Sequence, residues 1–149
     1  MKHYLKKLED SIRSHWEQKA LCDYGGEQFT YGDIADLLLT IGEKLLKRYY
    51  RGMSNQAYRN ATTVINESIV RAAVIIYMQE NGFSAEQIKE EMYEQIARDF
   101  LWMPELVTAL RHYSKHRSRY KTLDDYYPDI AKCLEKYLKV ETGRIENAL

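Results

Sequence analysis

Residues Thr62–Met78, TTVINESIVRAAVIIYM, form the most apolar stretch of the chain. Val64, Ile65, Ile69, Val70, Ala72, Ala73, Val74, Ile75, Ile76 and Met78 leave only a narrow polar stripe at Asn66, Glu67 and Arg71. A helix apolar around so much of its circumference has to be wrapped by other elements, because nothing else takes that surface out of water. The stretch predicts a central helix over residues 62–80 and a mainly α fold of five or six helices packed around it.

The flanking periodicity supplies the other helices. Tyr4, Leu5, Leu8, Ile12 and Trp16 recur at three- and four-residue steps and predict an amphipathic helix over 2–17. Two short polar–apolar runs flank Gly25-Gly26, where positive φ is easily adopted, so residues 20–31 read as a small β-hairpin with Cys22 opposite Phe29. Such a ribbon is marginal alone and is expected to lie on the N-terminal helices. Thr30 is a helix N-cap with Asp33 at the capping-box position, and Ile34, Leu37, Leu38, Ile41, Leu45 and Tyr49 give the next helix one apolar face. Polar residues 51–60 form a turn or a short helical lead-in.

The central helix is expected to stop at Asn81-Gly82. Ser84, with Gln87 three residues on, caps a helix whose stripe is Ile88, Met92, Ile96, Phe100 and Leu101. Pro104 fits the first turn of another, carrying Leu106, Val107, Leu110 and Tyr113. A last helix starts near Tyr127-Pro128, carries Ile130, Cys133, Leu134, Tyr137 and Leu138, and is expected to end at Gly143. The expected organisation is one helical domain over 1–149, with a bundle spanning 54–143.

The 149 residues could bury roughly 70% of their unfolded surface, enough for a real core. Lys plus Arg and Asp plus Glu both number 22, so no global field draws the chain to nucleic acid or to an anionic membrane. Cys22 and Cys133 lie far apart without CxxC spacing, which argues against a disulfide scaffold or a zinc site and fits a reducing compartment. The N-terminus lacks an apolar signal core, and the longest unbroken apolar run, Ala72–Met78, is far short of a membrane span. The expectation is a cytoplasmic protein that does not act on membranes. Thirteen tyrosines against three phenylalanines favour half-buried seams and subunit contacts, so a homo-oligomer, most simply a homodimer, is expected.

Residues 1–47 carry a resemblance. ALCDYGGEQFTYGDIADLLLTIGEKL, preceded by SIRSHWEQK, looks like the opening of the AMP-forming acyl-CoA synthetases, the adenylate-forming ligases, with Thr30, Tyr31 and Asp33 where that family starts a helix after a short hairpin. The resemblance implies shared ancestry of a segment 1–50 or a truncated, rearranged gene. It does not imply acyl-CoA synthesis, because no phosphate-binding loop, adenine motif or adenylation lysine follows.

Arg111–Lys121, RHYSKHRSRYK, is the one local charge anomaly, with five Lys or Arg, two His, two Tyr and no acid. Basic residues interleaved with rings can contact phosphates and stack on bases, which makes Arg111, Lys115, Arg117, Arg119 and Lys121 candidate nucleic-acid contacts. The plainer reading is a solvated helix C-terminus favoured by the dipole. Within this run Arg111-x4-His116 resembles the catalytic spacing of HEPN-type ribonucleases, in which His moves protons and Arg stabilises phosphorane charge. On one straight helix these two residues diverge by about 140°, so convergence would need a dimer or a helix end. His112 and His116 are four apart, but Tyr113 stands where a zincin needs Glu and no third ligand is evident, so no metal is expected. Phe100-Leu101-Trp102-Met103 reads equally as an exposed partner anchor or as core at a helix corner. With no cofactor motif in the chain, the sequence reads as a non-catalytic helical binding or assembly module. A HEPN-like or nucleic-acid-binding domain using residues 111–121 is the rival.

Overall fold

A computed structural model describes Cys22–Tyr24, Glu27–Phe29, residues 31–49, Met53 and residues 60–148. The helix expected over 2–17 and most of the turn at 51–60 lie outside these residues. Among them are five α-helices: α1 (Tyr31–Arg48), α2 (Ala61–Glu80), α3 (Ala85–Ala97), α4 (Met103–Lys115) and α5 (Tyr127–Ala148). A 3-10 turn, Leu123–Tyr126, leads into α5. Cys22–Tyr24 (β1) and Glu27–Phe29 (β2) pair antiparallel, Cys22 facing Phe29 in register.

Four helices close a ring. α1 packs on α2 and on α5, and α4 packs on the same two, so α2 and α5 lie across the diagonal. α3 sits outside, over α2 and α4. The apolar faces read from the sequence are the ones that turn inward: Ile34, Leu38, Ile41 and Leu45 from α1, Leu106, Val107 and Leu110 from α4, Ile130, Leu134 and Tyr137 from α5. Phe100, Trp102 and Met103 are fully buried, so the segment before Pro104 is core and not an exposed anchor.

Trp102 is the hub of that core. Its ring lies 5.5 Å from those of Tyr49 and Phe100 and 6.1 Å from that of Tyr137. Its indole N–H donates to Ser68 Oγ (2.9 Å), and the buried Ser68 hydroxyl donates onward to the Val64 carbonyl (2.6 Å). A buried indole needs such a partner, and here the partner belongs to α2, so one hydrogen bond fixes α4 against α2. The Tyr49 and Tyr137 hydroxyls meet at 2.7 Å and join α1 to α5.

Local capping accounts for both ends of α2 and of α3. Asn60 accepts from the Thr63 N–H at the start of α2, and Ser84 with Gln87 completes a capping box at α3. Past the α2 C-terminus Gly82 has φ 77°, and the Phe83 N–H reaches back to the Met78 carbonyl, a Schellman-type stop. α3 stops in a similar way at Asp99 (φ 70°), with the Phe100 N–H on the Gln95 carbonyl. Asp takes the left-handed conformation more readily than most residues, but no glycine marks the stop.

Three expectations are corrected. α5 runs through Gly143 to Ala148, since one interior glycine costs only about 1 kcal/mol against the helix formers around it. α3 ends before Phe100, and its expected stripe of Ile88, Met92 and Ile96 is only half-buried, while Gln95 is its buried residue. α2, expected to be enclosed, is covered on its inner faces only. By length and composition it could cross a membrane (mean hydropathy 1.3), yet the bundle buries 44% of that window.

Candidate interaction surfaces

The narrow polar stripe of α2, Asn66, Glu67 and Arg71, does not face solvent as a unit. Arg71 is drawn sideways towards α3: it donates to Gln95 Oε1 (2.7 Å), while Gln95 donates to Glu91 (2.7 Å). The Arg71 guanidinium lies 4.8 Å above the Phe100 ring, and Glu67 approaches it at 3.5 Å. With Arg71 anchored there, the turns of α2 that remain outside carry Asn66, Val70, Ala73, Val74 and Tyr77, with Glu80 at the C-terminal end. Val70 is 57% exposed, Val74 45% and Tyr77 59%, and Phe83 (42%) lies beside the Tyr77 ring at 6.5 Å. Such a contiguous apolar strip has a meaning that isolated exposed side chains lack. Sequence reasoning counted Val70, Ala73 and Val74 as core and left out Tyr77. The available signal was the 4-3-4 spacing of residues 66, 70, 73 and 77, a seam pattern on an outer face.

The residues of the 111–121 run are placed quite differently from one another. Arg111 leans on α2, its Nε donating to Gln79 Oε1 (3.1 Å), and Ser114 hydrogen-bonds the Glu80 carboxylate one turn along. His116 is the C-cap of α4; its ring stacks on His112 at 4.1 Å, and its Nδ1 lies 2.8 Å from the His112 carbonyl. Arg117 folds over Tyr113 (4.8 Å) and donates to the Tyr120 and Lys121 carbonyls. Arg119 lies over Tyr120 at 5.3 Å, and Lys115 and Lys121 are exposed. His112, Tyr113, His116, Tyr120 and Tyr126 thus form one ring cluster closing the end of α4. Arg111 and His116 bond to different partners, and no contact described joins them.

Several hydroxyls and one thiol are held in their neutral forms. Burial pushes the Cys133 thiol up to about 11, with the Glu105 carboxylate adding to the effect and Lys136 opposing it. Burial, then Asp129, Tyr120 and Cys133, push the Tyr126 hydroxyl up to about 12; that hydroxyl donates to the Ala109 carbonyl (2.7 Å). Burial and the bond to Tyr49 raise Tyr137 as well. Cys133 is therefore a poor nucleophile at neutral pH. A raised folded-state pKa gives stability that is intact below the unfolded value and lost as pH rises through the folded one. The unfolded values are 9.0 for Cys133 and 10.0 for Tyr126. The urea midpoint should not respond to these groups up to pH 9, then fall towards about 11 and 12 as they ionise. A midpoint that rises from pH 9 to 11 would contradict this.

Among the described residues no group of three or more His, Cys, Asp or Glu could hold a metal ion. Geometry alone therefore defines a helical bundle with an uncovered apolar helix face and a self-stitched basic corner. A family model described as "Domain of unknown function (DUF4932)" matches residues 32–133, more than half of the chain, and the chain belongs to that family. Searches of curated proteins and of solved structures found no match.

The likeness of residues 1–47 to acyl-CoA synthetases is overturned by this result: no family of adenylate-forming ligases matches, and the matched span starts just past Thr30-Tyr31. The misleading features are generic. A capping residue, Asp33 in the first turn and an apolar stripe at 3.6-residue spacing are what any capped amphipathic helix needs, whatever its family.

Proposed function

We propose that this chain is a helical binding and assembly module that works through its helix surfaces, self-associates, and has no reaction centre of its own. The uncovered strip of α2 carries the reading. A helix apolar all round belongs in the interior of something larger, and the bundle supplies only part of that interior. The basic corner supports the reading from the other side: Arg111 and Arg117 are engaged by Gln79 and by loop carbonyls, not aligned as a track for phosphates. A hairpin over residues 20–31, seated at the α1–α5 seam, is part of the same reading; β1 approaches α5 and β2 approaches α1.

The test is Val70→Lys/Val74→Lys. Both positions are exposed, so an assembly face predicts an unchanged or slightly raised monomer stability together with loss of the higher-mass species in sedimentation at about 100 μM, a concentration that populates complexes with a Kd in the micromolar range. A double variant with unchanged mass would overturn the proposal, as would a monomer that melts far below the wild type, because the strip would then be packed within its own chain.

A further inference from the structure

We infer that the occupant of the α2 strip is a second copy of the same helix, laid antiparallel about a two-fold axis between Ala73 and Val74; this rests on the assembly reading above and specifies its partner and register. The middle of the strip, Val70, Ala73, Val74 and Tyr77, carries no charge between Asn66 and Asn81, and the exposed Glu80 lies at its C-terminal edge. The charged neighbours are turned aside: Arg71 to Gln95, and Glu80 to Ser114. An apolar face edged by acids offers nothing to the phosphates of a nucleic acid. A lipid surface normally meets Lys and Arg at the edges of an apolar face, and the acids Glu67 and Glu80 border this one.

The order of residues makes the strip complementary to itself when reversed. In the antiparallel register Asn66 meets Asn81 of the second copy, and amide pairs with amide as both donor and acceptor. Val70 meets Tyr77, whose ring with Phe83 forms an aromatic edge for it. Ala73 meets Val74 at the axis, where the small side chain lets the helices approach. A parallel arrangement would instead stack Tyr77 on Tyr77 and leave Ala73 facing Ala73 across a gap. Contacts repeated by a two-fold axis close a dimer and stop there. The area fits as well. Val70, Val74, Tyr77 and Phe83 leave on the order of 350 Å² of apolar surface in water. A standard interface covers about 800 Å² per partner, a little over half of it apolar, so the strip provides most of that share.

Single cysteines placed in a Cys22→Ser/Cys133→Ala chain, treated with a short bis-maleimide, read the register directly. Ala73→Cys should cross-link to itself in high yield. Val70→Cys and Tyr77→Cys should each stay uncoupled alone and couple when the two are mixed. Self-coupling of both, with nothing gained on mixing, would mean a parallel pair and overturn the inference. A dimeric mass with no coupling at residue 73 would also overturn it, while leaving assembly through another surface intact. Flotation with neutral phosphatidylcholine vesicles that is lost in Val70→Lys/Val74→Lys would sink it in favour of a lipid surface. A monomeric wild type with a mass insensitive to that double change would remove the assembly reading itself.

Discussion

Trp102→Ala should cost about 3–5 kcal/mol, the range for removing a large buried aromatic and leaving a cavity. For a domain whose whole stability is about 5–15 kcal/mol, that is roughly a fifth of the total or more. The loss is large because three helices lean on this side chain: Tyr49 from α1, Tyr137 from α5, and α2 through Ser68. Ser68 keeps its bond to the Val64 carbonyl in the variant, so the deficit is one of packing more than of stranded polarity. Trp102→Phe is the milder change: it keeps a six-membered ring but loses the pyrrole edge with its N–H, for about 1–3 kcal/mol. Urea unfolding followed by circular dichroism measures both. A loss below about 1 kcal/mol for the alanine variant would mean that the hub is elsewhere.

Gly42 gives the second large effect, and its sign is decided by competition. Exposed in a helix interior, Gly→Ala would gain about 1 kcal/mol from propensity alone. Here a Cβ would stand 2.8 Å from the Ala61 carbonyl oxygen, 3.0 Å from Ile65 Cγ1 and 3.1 Å from Ala61 Cβ. The first of these is backbone at the start of α2 and cannot swing away, so α1 and α2 must separate. Overpacking of this kind costs about 1–3 kcal/mol and exceeds the propensity gain. Gly42→Ala should be destabilising, and Gly42→Val, with a branched side chain in the same place, clearly more so. A thermal midpoint for Gly42→Ala above that of the wild type would show that the helix pair can shift without loss.

The contrast between α1 and α3 shows what a sequence reveals. α1 has one apolar face, and Ile34, Leu38, Ile41 and Leu45 turned inward as their spacing required. α2 has apolar residues on nearly every side, so spacing gave only a weak direction, the 4-3-4 seam at 66, 70, 73 and 77. Which side turns inward depends on packing against α1 and α4 and on partners distant in sequence, such as Gln95, which holds Arg71 from 24 residues away. No local pattern encodes that bond, which is why the outward strip was read as core. α3 failed for a related reason: its apolar residues suffice for a stripe, but the Asp99 turn brings Phe100 into the core and leaves Ile88 and Met92 at the margin. At the basic corner, charge and ring content were legible, whereas the fold-back of Arg117 onto its own loop depends on the backbone path after His116. The resemblance at the N-terminus failed because helix-start signals report a boundary, not an ancestry.

The attachment of α3 carries one more consequence. This helix touches the bundle through half-buried side chains and through the polar chain Glu91–Gln95–Arg71. Polar links of that sort are worth far less than the core that holds the other four helices. The outer helix is thus tied to the bundle beside the bare strip, since its partner on α2, Arg71, sits one residue from Val70.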